Sequence, residues 1–194
     1  MVREIFIIRH GQSLYNLEGK IQGQIDSPLS PRGIQEAEQA KNFFDQAGIS
    51  IDLILSSPLK RAYATAKIIQ GNRPCPLVTD QRLAEWRYGS LEGKALSKLE
   101  EGVKLNDPPS DRYFCRFGGE SVTAVKVRFQ AVLDESLKAY PQKNILLVSH
   151  GSIMYRFMLD YLNQPLQAFS NCQIFHFEEV GEVLVLRNSI NPLK

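Results

Sequence analysis

The amino-acid sequence predicts an α/β fold: a three-layer α/β/α sandwich with a mostly parallel central sheet. Three observations carry this. The runs "IFII" and "ILLV", around residues 4–8 and 145–148, are short, apolar and rich in Ile, Leu and Val, which suits strands covered on both faces. "IDLILSS" (51–57) is a third run of the same kind. Stretches with helical apolar spacing alternate with these runs, and that rhythm implies one sheet with helices on both sides.

Taken in order, the first strand ends in Arg9-His10-Gly11, and the stretch Pro31 to Gly48 reads as a helix. Its expected buried stripe is Ile34, Ala37, Phe44 and Ala47, with Gly48 as the stop. After the 51–57 strand, Ser57-Pro58 is expected to open a helix to about Gln70, with Ser57 as cap and proline in the first turn. "PLVTD" suggests a further strand. Glu120 to Tyr140 reads as a long amphipathic helix with Val122, Val125, Phe129 and Val132 as its stripe. Ser152 to Leu162 is another helix, and "CQIFHFEEVGEVLVLRN" a terminal hairpin turning near Gly181. The segment 100–119, "EGVKLNDPPSDRYFCRFGG" and its neighbours, is rich in Pro, Gly and charge and has no period. A loop this long in a compact domain is usually functional, so it is expected to be a lid or substrate loop in a single domain spanning 1–194.

Bulk properties narrow the function. The chain has 194 residues, 43% apolar and 23% charged, with a net charge of +2 and no concentrated basic run. That disfavours nucleic acid as partner. The apolar run at the start is too short for a signal peptide, and no segment approaches the roughly 18 apolar residues of a membrane span. Cys75, Cys115 and Cys172 have neither disulfide nor zinc spacing, which points to a reducing, cytoplasmic setting.

The chemistry-bearing residues sit where strands end. In parallel sheets ligands bind beyond the carboxyl ends of strands. Arg9-His10-Gly11 and Ser149-His150-Gly151 occupy two such ends, and "SSPLKR" places Arg61 in the first turn after a third. If those strands are neighbours, two imidazoles and two guanidiniums converge, with glycines that allow close approach. Arginine forks match phosphoryl oxygens, and a neutral imidazole can attack phosphorus. Glu85, in "LAEWRYGSLEG", is available to protonate a leaving alkoxide. Each of these residues has a structural alternative. A lone strand-end histidine is commonly structural, and Arg61 and Glu85 taken singly read as solvated. Asn16 alone reads as a turn residue, His176 as an alternating strand residue and Lys60 as solvated. The matched His-Gly endings favour the functional reading.

The ordered set "IIRHGQSLYN", "GKIQGQIDSPLSPRGIQEAE", "LSSPLKRAYATA", "LAEWRYGSLEG", "GGES" and "LLVSHGSI" resembles the histidine phosphatase superfamily, in its phosphoglycerate mutase-like branch, from about residue 3 to 178. The resemblance implies a parallel-sheet sandwich and a phosphohistidine intermediate, with no metal and no cofactor. It makes His10 the nucleophile, Arg9 and Arg61 the clamp on the phosphoryl oxygens, and His150 the second histidine that donates to one of them. Glu85 becomes the general acid and base, a role that calls for a pKa raised by burial. Asn16, Gln22 and Gly23 fall on phosphate-pocket positions, and Tyr88 matches a mutase substrate contact.

The superfamily contains phosphatases and mutases. Only 64 residues separate Glu85 from His150, without an Arg-Arg pair, and the lysine expected of a mutase just beyond "LEG" falls near Leu96, with Lys94 displaced. The expectation is therefore a short phosphatase acting on a small phosphomonoester. A phosphoglycerate mutase and a catalytically weak phospho-ligand-binding protein are the alternatives. A metallophosphatase is disfavoured because no Asp/His/Asn set has suitable spacing. Substrate choice is expected from the 100–119 segment, where Arg112, Tyr113, Phe114 and Arg116 either contact the leaving group or pack over the core.

Overall fold

The computed structural model describes residues 3–162, 169–181 and 183–193. Its core is a six-stranded sheet of order β3-β2-β4-β1-β5-β6. The strands are β1 (Arg3–Arg9), β2 (Leu53–Ser56), β3 (Leu77–Thr79), β4 (Ile145–Ser149), β5 (Ile174–Val180) and β6 (Val183–Ile190). The first four pair in parallel, and β5 and β6 add an antiparallel hairpin on β1. Gly181, at φ 65°, lies in the connection between β5 and β6; Glu182 lies outside the described residues.

Alternation along the central strands explains the three layers. Ile5, Ile7, Leu53, Leu55, Ile145 and Leu147 face one core, closed by Val125, Phe129, Val132 and Leu133 of α4 (Val122–Ala139) and Ile153, Phe157 and Met158 of α5 (Gly151–Met158). Phe6, Ile8, Ile54, Leu146 and Val148 face the other, closed by α2 (Pro31–Gln46) and α3 (Lys60–Gln70). A one-turn helix, α1 (Leu14–Leu17), follows β1. The apolar strand runs are thus covered on both faces, as their composition requires.

Two local expectations change. The buried residues of α2 are Gly33, Glu36, Ala37, Ala40 and Phe44, while Ile34 is 48% exposed and Ala47, the residue after the helix, is exposed as well. The helix is seated at Gly33, where a Cβ would overlap the Gln12 carbonyl, and this contact turns Ile34 outward. Helix α3 starts at Lys60 with Leu59 as its cap, not with Ser57 capping and Pro58 in the first turn. The Ser57 hydroxyl still accepts from the Leu59 N–H at 3.3 Å, but it has a second partner described below. Among the described residues no helix is long and apolar enough to cross a membrane.

Candidate functional site

Strand order brings the two His-Gly endings together. β4 lies between β2 and β1 and is parallel to both, with Arg9 level with Ser149 and Ser56 level with Val148. The three chains leave the sheet flush. The His10 N–H donates to the Ser149 carbonyl at 3.0 Å, and the Ser57 N–H to the Val148 carbonyl at 2.9 Å. The His10 and His150 rings meet edge to face with centroids 5.0 Å apart. Both rings are buried.

Their surroundings set their protonation. His10 Nδ1 lies 2.6 Å from the Gly11 carbonyl, an acceptor only, so in the neutral ring this nitrogen carries the proton. Nε2 is then a lone pair, and Arg61 Nε–H donates to it at 3.3 Å. Burial, then Arg61, then Arg9 hold the His10 pKa well below the usual histidine range. His150 is depressed likewise by burial, Arg61 and His10. His150 Nε2 pairs with the Ser57 hydroxyl at 2.7 Å, while its Nδ1 is buried without a partner among the described residues.

Both arginines are anchored from behind. Arg61, fully buried, donates Nη2 to the Gly23 carbonyl at 2.7 Å and Nη1 to the Ile25 carbonyl at 2.9 Å. Desolvation pushes its pKa down to about 10, which leaves it charged at neutral pH. Arg9 Nη1 donates to the Phe169 carbonyl at 2.5 Å, and its buried Nε has no partner among the described residues. The glycines after the histidines make room for protein here. A Cβ at Gly151 would sit 3.2 Å from Arg9 Nε, and one at Gly11 would overlap the Gly33 carbonyl.

Glu85 is 8% exposed and gripped by main chain. Its Oε1 accepts from the N–H groups of Trp86 at 2.8 Å and Ile153 at 3.1 Å, and Oε2 accepts from Ser152 at 3.1 Å. Ser152 and Ile153 belong to the first turn of α5, whose amides have no acceptor within the helix and are satisfied here by the Glu85 side chain. The sequence reading missed this coupling between Glu85 and the His150-bearing turn.

These groups adjoin a cavity of about 470 Å³. Arg9, His10, Asn16, Gln22, Gly23, Glu85 and Tyr88 line one part of it. Arg61 and His150 are buried beside His10 rather than on the lining. Asn16 also closes a capping box with Ser13, so its turn role and its place at the cavity coexist. Gln22 accepts from the Ser13 hydroxyl at 2.6 Å. Gly23, at φ +52°, has the Glu92 carboxylate where a Cβ would stand. The Tyr88 hydroxyl is buried near Ser152, with no hydrogen bond of good geometry among the described residues.

Gly151 and Ser152 continue the lining, and its outer part is Leu96, Leu99, Val103, Leu105, Tyr155 and Phe169, with Lys20, Lys104 and Asn106. Of the 100–119 segment, residues 103–106 reach the cavity. Tyr113 and Phe114 pack into the core, with Phe114 4.8 Å from Tyr88 between centroids. Arg116 lies over Tyr113 and pairs with Glu100 at 2.6 Å, and Arg112 is exposed. His176 stacks on Phe6 and faces Glu4, away from the site, and Lys60 is exposed. The apolar wall was not legible as such, because its members come from irregular backbone and separate elements.

The model of the histidine phosphatase superfamily (branch 1) matches residues 5–187. A relative from Enterobacter sp. (strain 638), named as a probable phosphoglycerate mutase GpmB, is 35% identical over 182 residues, covering 88% of this chain and 82% of the relative. A mycobacterial glucosyl-3-phosphoglycerate phosphatase, solved as a complex with VO3, superposes with TM-score 0.80 at 26% identity, over 97% of this chain and 98% of its own. A mutant phosphoserine phosphatase from Entamoeba histolytica, solved with phosphoserine, gives TM-score 0.79 at 28% identity, over 98% of both chains. The matched sequence span, the flush strand ends and the paired histidines agree, and the chain belongs to the histidine phosphatase superfamily, branch 1.

Proposed function

We propose that the protein is a metal-independent hydrolase of small phosphomonoesters, working through phosphohistidine on His10. The observation that carries this reading is the unprotonated Nε2 of His10, oriented by the Gly11 carbonyl and faced by Arg61 beside a cavity that Glu85 also lines.

In the first step the Nε2 lone pair attacks phosphorus and the bond to the ester oxygen breaks. Glu85 in its acid form gives that oxygen its proton, and the alcohol leaves. Nδ1–H of His10 stays on the Gly11 carbonyl and steadies the ring as it gains positive charge. In the second step the Glu85 carboxylate takes a proton from water as the oxygen bonds to phosphorus. The P–N bond breaks, its electron pair returns to Nε2, and inorganic phosphate departs. Arg9, Arg61 and His150 stabilise the equatorial oxygens, the larger part of the catalysis in phosphoryl transfer. Arg9 Nε and His150 Nδ1, buried and without a partner among the described residues, have capacity for a ligand oxygen.

Asn16, Gln22, Gly23 and Tyr88 are assigned to substrate binding, with Leu96, Leu99 and residues 103–106 around the leaving group. Leu96 on the cavity, where a mutase would carry lysine, supports hydrolysis over isomerisation. The name of the Enterobacter relative keeps phosphoglycerate mutase as the second reading. The same proposal places the protein in the cytoplasm, which its unpaired cysteines support.

The test is phosphate release in excess EDTA from p-nitrophenyl phosphate and a panel of sugar, amino-acid, nucleotide and phosphoglycerate monoesters. Wild type runs beside His10→Ala, and 3-phosphoglycerate is checked for isomerisation. Turnover that survives EDTA and vanishes in the variant supports the reading. Isomerisation without release selects the mutase, loss of activity in EDTA selects a metal enzyme, and binding without turnover selects a phospho-ligand-binding protein.

A further inference from the structure

Glu85 is carried by irregular backbone, apart from short 3-10 turns at Gln81–Leu83 and Gly89–Leu91. Such a stretch has carbonyls without ladder partners, which must be satisfied from elsewhere. Gln24 Nε2 donates to the Glu85 carbonyl at 3.0 Å and the Ser149 hydroxyl to the Leu83 carbonyl at 2.8 Å. Arg128, on helix α4, reaches three carbonyls of the stretch at once. Its Nη1 donates to the carbonyls of Arg82 and Ala84, both at 2.6 Å, and its Nη2 to the carbonyl of Glu85 at 3.0 Å.

The remaining edge of the guanidinium grips the other side of the acid. Arg128 Nε and Nη2 donate to Glu120 Oε1 at 2.9 Å and Oε2 at 3.1 Å. That carboxylate accepts the Arg87 N–H at 2.9 Å, while the Glu120 carbonyl takes the Trp86 indole N–H at 3.0 Å. Arg128 and Glu120 therefore clamp residues 82–85 and 86–87, one on each side of Glu85. The side chains of the pair are only 15% and 16% exposed.

We infer that Arg128 is a positioning residue for proton transfer, acting through the backbone of Glu85 and touching no substrate itself. This rests on the assignment of Glu85 as the acid made above. A proton donor works only at hydrogen-bond distance, and about 1 Å of misplacement can cost on the order of 100-fold. Loosening the clamp therefore harms esters whose leaving oxygen needs a proton and spares those whose oxygen leaves as a stable anion. A residue that merely holds the fold together would not discriminate between them.

The experiment compares kcat/KM for an alkyl phosphate and for 2,4-dinitrophenyl phosphate in wild type, Arg128→Met, Arg128→Lys and Glu120→Gln. kcat/KM is chosen because it covers the phosphorylation step alone when that step is irreversible. Glu85→Gln serves as the reference pattern. For Arg128→Met the expected loss is about 30- to 100-fold on the alkyl ester and under about 3-fold on the dinitrophenyl ester. Arg128→Lys and Glu120→Gln, the variants to rely on if Arg128→Met does not fold, lose less but with the same bias. Equal losses on both esters, or none on either, overturn the inference while leaving the hydrolase reading in place. A wild type that hydrolyses neither ester removes the hydrolase reading, and this inference with it.

Discussion

Arg61 Nε donates to His10 Nε2 across 3.3 Å, while His10 Nδ1 holds the Gly11 carbonyl at 2.6 Å. Together these bonds select one tautomer of a neutral ring, with its lone pair directed at a cation that no competing proton displaces. In the neutral ring, His10 is expected to be the Nδ1–H form and to remain neutral at pH 6, since burial and two guanidiniums lower its pKa. Long-range 1H–15N spectra of this chain, which has three histidines, read this directly. An Nε2–H pattern, or a midpoint near 6.5, would refute it.

Arg61 is expected to be irreplaceable by lysine. Its charge alone is not the point, because both Nη groups are fixed on the Gly23 and Ile25 carbonyls to aim Nε. Arg61→Lys keeps a cation without the fork, and kcat/KM on p-nitrophenyl phosphate should fall about 100- to 1000-fold, as for loss of one preorganised donor. A drop below about 5-fold would show that charge suffices.

Ser57 is expected to steady His150. Its oxygen accepts from the Leu59 N–H at 3.3 Å, and the same hydroxyl pairs with His150 Nε2 at 2.7 Å, which fixes the position of the ring. Ser57→Ala should lower kcat about 10-fold and stability by about 1 kcal/mol, the net scale of a hydrogen bond. Steady-state kinetics and a urea melt separate the two effects, and wild-type kcat in the variant would remove the role.

Stability should fall in mild acid. The folded-state pKa values of His10 and His150 lie below the unfolded value of about 6.5. Below that pH the unfolded chain binds protons that the folded chain refuses, so stability is lost as pH falls from about 6.5 toward the folded values. The slope is up to about 1.4 kcal/mol per pH unit per histidine. Urea midpoints at pH 7.5 and 5.5 test this, and His10→Gln should flatten the difference. An unchanged difference in that variant would assign the slope to other groups.

Gly33→Ala should destabilise by about 1–3 kcal/mol, because the new methyl overlaps the Gln12 carbonyl in a closely packed contact. A denaturant melt checks it. A stabilised variant, as helix propensity alone would forecast, would mean that α2 can slide.

Much of the fold and site was legible because it is written in neighbouring residues. Apolar runs covered on both faces announced β1, β2 and β4, and each His-Gly pair stood at a strand end where parallel sheets bind ligands. Arg9, His10, Arg61, Glu85 and His150 could be named from their local settings together with the family resemblance. The tertiary structure decided what depends on residues far apart in the chain. It placed β4 between β2 and β1, which brings the two imidazoles to 5.0 Å. It turned Ile34 outward by seating α2 at Gly33, and moved Ser57 from a helix cap to His150. It drew Arg128 from an amphipathic helix onto the carbonyls around Glu85 and gathered the cavity's apolar wall from several segments. Periodicity records which face of an element is apolar. Contacts between distant residues arise only when the layers pack, and that packing sets the His10 tautomer, the anchored arginines and the held carboxylate.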